Sequence, residues 1–236
     1  MKKHIFFTLF CLWLSFGCSA QGVETQTNLS QLGATNDPTQ VVRMFDDRYK
    51  GVKGSPFYWE NYVSGKINFK DGKIYSVKAM NFNSLEDEVV VKAERDSRLV
   101  VLNKKSVVSF QADSLSCLDS FCHFVKIDSI GIPAGYYAVL VDKGIKVICK
   151  LSKTILKADF KGAYSSSQNY DRIVDEERYY FKNKQGFLIE FKRSQKSISS
   201  LLPEKSKVIS NFIKENHLNP KSKSSLNKIF DFIEML

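Results

Sequence analysis

Residues 65–75, GKINFKDGKIY, decide how this chain folds. Ile67 and Phe69 alternate with polar residues, the period of a half-buried strand. Asp71-Gly72 then supplies residues that tolerate positive φ, the mark of a tight hairpin turn. The same pattern recurs downstream. Residues 136–149 hold two β-branched runs joined by Asp142-Lys143-Gly144, where Gly144 suits the left-handed residue of a three-residue loop. Residues 179–191 turn at Asn183-Lys184-Gln185-Gly186. Between these hairpins lie Val89-Val90-Val91, Leu99-Val100-Val101-Leu102 and Val107-Val108-Ser109-Phe110. Such continuous β-branched runs denote strands covered on both faces. About eight to ten short antiparallel strands at this spacing predict a mainly β domain over residues 41–192, a sandwich or a half-open barrel.

The period changes after residue 192. Pro203 suits the first turn of a helix, and Glu204 complements the helix dipole. Val208, Ile209, Phe212 and Ile213 recur at helical spacing, and Asn219-Pro220 marks the stop. A last helix places Leu226, Ile229, Phe230, Ile233 and Leu236 on one face. Residues 193–236 therefore read as a pair of short helices packed on the β-domain, with docking on a membrane or a partner as the alternative.

Upstream, residues 1–20 read MKKHIFFTLFCLWLSFGCSA. A Lys2-Lys3 start, an apolar stretch from Ile5 to Phe16 and a small-residue exit give the layout of a secretory signal peptide. The stretch is shorter than the roughly 20 apolar residues a bilayer span needs. Cutting after Ala20 leaves a soluble chain in the periplasm. Cutting before Cys18 leaves a thiol that a lipid can occupy, which would hold the chain at the outer membrane. Residues 21–40 are polar, lack an apolar period and read as a flexible tether.

The full chain has 236 residues, 35 basic and 25 acidic. Two lysines leave with the signal, so the exported chain carries a formal charge of +8. Outside the cytoplasm the counter-charges are anionic lipids and cell-wall polymers, and no aromatic-basic array points to nucleic acid. Cys149 alternates with Val147 and Leu151 and reads as a small buried apolar residue. Cys117 and Cys122 are candidates for a disulfide in an oxidising compartment. With His123 and His217 the only histidines left, no metal-ligand spacing arises.

Catalytic signatures are missing. There is no nucleophile elbow, no phosphate-cradling glycine loop and no cofactor motif. Cys122-His123 would diverge on a strand, since neighbouring residues face opposite ways. Glu86-Asp87-Glu88 and Asp175-Glu176-Glu177 are contiguous and read as turns with solvated charge. Phe57, Tyr58, Trp59 and Tyr62 crowd four rings into six positions, either a stacking surface for a sugar or peptide or a plug for one end of the β-core.

The stretch GSPFYWENYVSGKINFKDGKIYSVKAMNF, followed by EDEVVVK, YYFKNKQGFLIEFKR and a lysine-rich tail, resembles a group of uncharacterised secreted proteins of Bacteroidetes. The resemblance implies a cell-envelope location and brings no activity. The expectation is a non-catalytic envelope protein that binds or scaffolds another envelope component. A carrier of a lipid or other apolar ligand is the second reading, and a hydrolase with a dispersed site the third.

Overall fold

The computed structural model describes residues 48–93, 97–113, 121–142, 145–158, 170–183 and 185–236, and the backbone alone of Thr27–Asn28 and Val41–Met44. Residues 1–20 with Cys18, most of 21–40, Cys117 and Lys143-Gly144 lie outside the described residues.

The protein is mainly β. Short strands β1 (Thr27–Asn28) and β2 (Val41–Met44) precede β3 (Val63–Phe69), β4 (Ile74–Asn83), β5 (Glu88–Lys92) and β6 (Leu99–Leu102). Then come β7 (Val107–Ala112), β8 (His123–Ile127), β9 (Gly135–Asp142), β10 (Lys146–Leu156), β11 (Arg172–Lys182) and β12 (Leu188–Phe191). The ten strands from β3 onward form one open antiparallel sheet in the order β12-β11-β10-β9-β8-β7-β3-β4-β5-β6. β2 adds to β6, and β1 pairs in parallel with β4, so Thr27 and Asn28 of the polar N-terminal span are held at a strand.

Local chemistry explains the hairpins. Gly72 alone takes the left-handed conformation, with φ +84°. Its N–H donates to Phe69 O while Phe69 N donates to Lys73 O, so the loop has three residues rather than two. The β11–β12 hairpin repeats the arrangement with Gly186, φ +88°. Gly65 serves a different need, because a Cβ there would sit 2.1 Å from Gln111 O and 2.6 Å from Met80 Cε. Only glycine lets β3 run between β4 and β7 at that bulged position.

The sheet curls until its two halves touch. Lys53 pairs with Arg172 of β11 and Phe57 with Asn83 of β4, so residues 53–57 form a strap across the gap. Lys153 N donates to Ser84 O at 3.2 Å beside it. Inside, Trp59, Phe82, Phe110, Phe124 and Tyr136 form one aromatic cluster, with Phe110 and Phe124 stacked at 4.7 Å. Val89, Val90 and Val91 are all buried, as the unbroken triplet requires.

Two acidic runs depart from the sequence reading. Asp175, Glu176 and Glu177 lie within β11, not in a turn; their register opposite Lys153, Ser152 and Leu151 accommodates the charge on a half-solvated face. Asp87 is largely enclosed rather than freely solvated. Its carboxylate meets Lys150 Nζ at 2.6 Å and Lys104 Nζ at 2.7 Å and accepts from Tyr136 N at 3.1 Å. The clamp ties the β4–β5 turn to β9 and β10.

The tail holds three helices, α1 (Gln195–Ser199), α2 (Ser206–Glu215) and α3 (Lys223–Glu234), with a short 3-10 turn at Pro203–Lys205. α2 ends before Asn219-Pro220, because His217 already adopts φ +49°. Ile198, Ile209, Ile213, Leu226, Ile229, Phe230 and Ile233 are buried in the same core as the strands. Val208 and Leu236 are exposed instead, and Phe212 is half-buried, so the expected apolar faces are narrower than their sequence pattern.

Candidate functional site

A groove of about 550 Å3 opens where the tail meets one end of the sheet. Its position follows from how the tail leaves and returns. Phe230 anchors α3, its ring 6.1 Å from Phe181 and 5.4 Å from Phe191. One turn later α3 ends, and β12 is only four residues long. On the other side the chain passes through Leu201 and Leu202; Leu202, just before Pro203, sits at φ −128°, ψ 86°, outside the helical region that a following proline disfavours. Neither layer reaches far enough to fill the space between them.

The lining is mostly apolar. Ile145, Phe181 and Ile189 contribute from the sheet, and Leu201, Leu202, Ile233 and Leu236 from the tail. Ile189 and Leu236 are each 40% exposed, and Phe187 on the neighbouring turn is 70% exposed. Lys182, Lys205, Glu204 and Glu234 bring charge of both signs, with Asn183 and Gln185 as neutral donors and acceptors. The volume lies within the roughly 300–1,000 Å3 of small-molecule sites.

The aromatic segment serves another purpose. Trp59 is 5% exposed and sits edge-on to Phe110 and Phe124. Buried Asn81 pegs the segment. Its Nδ2 donates to Trp59 O at 2.9 Å and Asn61 O at 3.3 Å, and its Oδ1 accepts from Trp59 N and Phe82 N. Tyr58 packs on Phe124, and its hydroxyl accepts from Phe121 N at 2.8 Å. Burial pushes the Tyr58 phenol up to about 12, so it stays protonated. Phe57 and Tyr62 are half-buried and meet each other at 5.7 Å. Trp59 and Tyr58 therefore pack into the core, Phe57 and Tyr62 meet each other half-exposed, and none of the four lines the groove.

The remaining polar clusters are spent on structure. In a second cleft on β11–β12, Glu176 meets Arg178 at 2.6 Å and Glu177 meets Arg193 at 2.9 Å. Both carboxylates are thus engaged as ion-pair partners of arginine guanidinium groups. Burial pulls the Lys150 ammonium below its ordinary range and the Asp87 charge opposes that, with Tyr136 O accepting a further bond at 3.2 Å. Cys122 is disulfide-bonded and so offers no nucleophile, while its partner lies outside the described residues. Cys149 is free and fully buried, and burial pushes its thiol far up. Among the described residues no group of three His, Cys, Asp or Glu side chains is placed to hold a metal ion, and no helix is long and apolar enough to cross a membrane.

Comparison of the chain with protein-family models, with curated proteins and with solved structures finds no match. Its functional reading therefore rests on its own geometry. The groove itself was invisible in the sequence; Leu201, Leu202 and Ile189 carry no motif, and only the position of the helix end makes them a lining.

Proposed function

We propose that this protein is an exported, non-catalytic binding protein of the bacterial envelope, and that its ligand carries an apolar chain held in the groove. The observation that carries the reading is the groove's lining: apolar side chains from both layers, left partly open to solvent beside exposed Phe187. Its volume and mainly apolar lining, with a few polar groups at the edge, are those of a small-molecule site. The rim of Lys182, Lys205, Glu204 and Glu234 suits the polar end of an amphipathic molecule. Export is supported by the Lys2-Lys3 start and the apolar stretch ahead of Ala20, and a lipid on Cys18 would keep the protein at a membrane. The paired state of Glu176 and Glu177 gives no support to hydrolysis.

The test is a titration with a fluorescent fatty-acid probe. Saturable binding at one site is expected, lost in Ile189→Glu/Leu236→Glu, whose part-exposed positions make the substitutions mild for folding. Absence of saturable binding, or equal binding by the double variant, would overturn the proposal.

A further inference from the structure

The tail carries a second apolar feature whose side chains do not line the groove. Phe212 of α2 and Phe232 of α3 stack with ring centroids 3.9 Å apart and planes within 6°. Both are half-buried. Val208 lies four residues before Phe212 and Met235 three residues after Phe232, so each adjoins the stack along its own helix. Val208 is 46% exposed and Met235 77%. The four side chains make one apolar line across both helices, none of it needed to close the core, which Ile209, Ile213, Leu226, Ile229, Phe230 and Ile233 already fill.

The tail that carries this line has a positive excess. Residues 192–236 hold nine basic and four acidic side chains, a net +5 in 45 residues, whereas the 151 residues of the β-domain before them also net only +5. Lys205 and Lys207 stand within one turn of Val208, Lys214 flanks Phe212, and Lys228 lies one turn before Phe232; all four are exposed, with Glu204, Glu215, Asp231 and Glu234 interspersed among them. A row of large apolar side chains on a segment of net positive charge resembles an amphipathic helix lying in a bilayer interface, where apolar burial and attraction to anionic headgroups add.

We propose that this face of α2 and α3 docks the protein on an anionic lipid bilayer. Val208, Phe212, Phe232 and Met235 enter the headgroup boundary, and the lysines engage the lipid charges. Lys205 belongs both to this face and to the groove rim, so docking would bring the groove close to the lipid surface. That consequence rests on the ligand reading above; docking itself does not.

The experiment uses the Cys18→Ser protein, which cannot be lipidated, and co-sedimentation with vesicles. One set is phosphatidylcholine and the other phosphatidylcholine mixed with phosphatidylglycerol. Partition onto the anionic set is expected to be at least about tenfold stronger and to weaken as salt is raised. Val208→Asp/Met235→Asp is expected to abolish it while leaving the melting temperature and fatty-acid probe binding as in the parent. Lys207→Glu/Lys228→Glu is expected to remove the preference for the anionic set. Equal binding to both vesicle types, or undiminished binding by Val208→Asp/Met235→Asp, would overturn the docking proposal and leave the groove reading standing. Loss of probe binding with docking intact would do the reverse.

Discussion

The two ends of the apolar interior are built from the same residue types and finished differently. Around Phe124, rings from β4, β7, β8, β9 and Trp59 close on one another, and every one of Phe82, Phe110, Phe124 and Tyr136 is fully buried. Around Leu202 the space stays open, although leucine, isoleucine and phenylalanine line it too. The difference is how many layers converge. The aromatic centre is enclosed by a curled sheet and capped by residues that Asn81 holds in place. The groove is bounded by two layers that both stop there, β12 after four residues and α3 after Glu234. Where a third wall exists the side chains are fully buried, and where it is absent they leave a groove.

Phe124→Ala gives the sharpest contrast. The ring meets Tyr58, Trp59, Phe82 and Phe110 within 5.7 Å, so its removal leaves a cavity that nothing nearby can collapse into. The expected cost is about 3–5 kcal/mol. At roughly 2–4 °C for each kcal/mol in a chain of this length, thermal unfolding should show a fall of roughly 6–20 °C. Binding of the fatty-acid probe at low temperature should be unchanged. A stability loss under about 1 kcal/mol would mean that the centre is not the filled region its geometry describes.

Within the tail the same contrast separates two phenylalanines. Phe230, fully buried between Phe181 and Phe191, should also cost about 3–5 kcal/mol when truncated to alanine, toward the lower end because fewer rings surround it. Phe212→Ala loses mainly a half-solvated stack and should cost only about 0.5–1.5 kcal/mol. Sequence periodicity ranked the two alike. Equal losses in chemical denaturation would show that the Phe212–Phe232 stack is core and would remove the apolar line from the docking face.

What could be read beforehand was local. Gly72 and Gly186 sit where alternation breaks, and a positive φ at one residue is enough to place each turn. Features that depend on distant partners stayed hidden. Asp87 reads as a solvated turn residue until Lys150, 63 positions away, arrives at 2.6 Å. Asp175-Glu176-Glu177 reads as a turn because three acids in a row seldom belong to a strand. Opposite them, the Lys153 ammonium lies 3.1 Å from Asp175, a pairing set by the β10–β11 register. The Trp59 segment offered two readings, and the peg that separates them, Asn81, is one unremarkable letter in β4. The groove was least legible of all, being defined by where two elements end.

The smallest expected effect concerns acid. His123 opens β8 at the edge of the aromatic centre, opposite Gln111 and next to Phe124. Burial holds its imidazole below the ordinary value of 6.5; Asp142 opposes that and Lys146 reinforces it. The unfolded chain therefore takes up a proton at a higher pH than the folded one. Across the window from about 6.5 down to the depressed folded value, acidification favours the unfolded state, and stability is regained as pH rises back through it. The residue is only half-buried, so solvent screens the effect and the slope should be shallow. His123→Gln removes the titrating ring and keeps a neutral side chain of similar reach. Urea midpoints taken from about pH 7 to about pH 5 should fall more for the parent than for this variant, the carboxylates contributing equally to both. Parallel curves would place His123 in water rather than at the margin of the packed centre, moving the boundary between the filled region and the solvent-exposed end of the sheet.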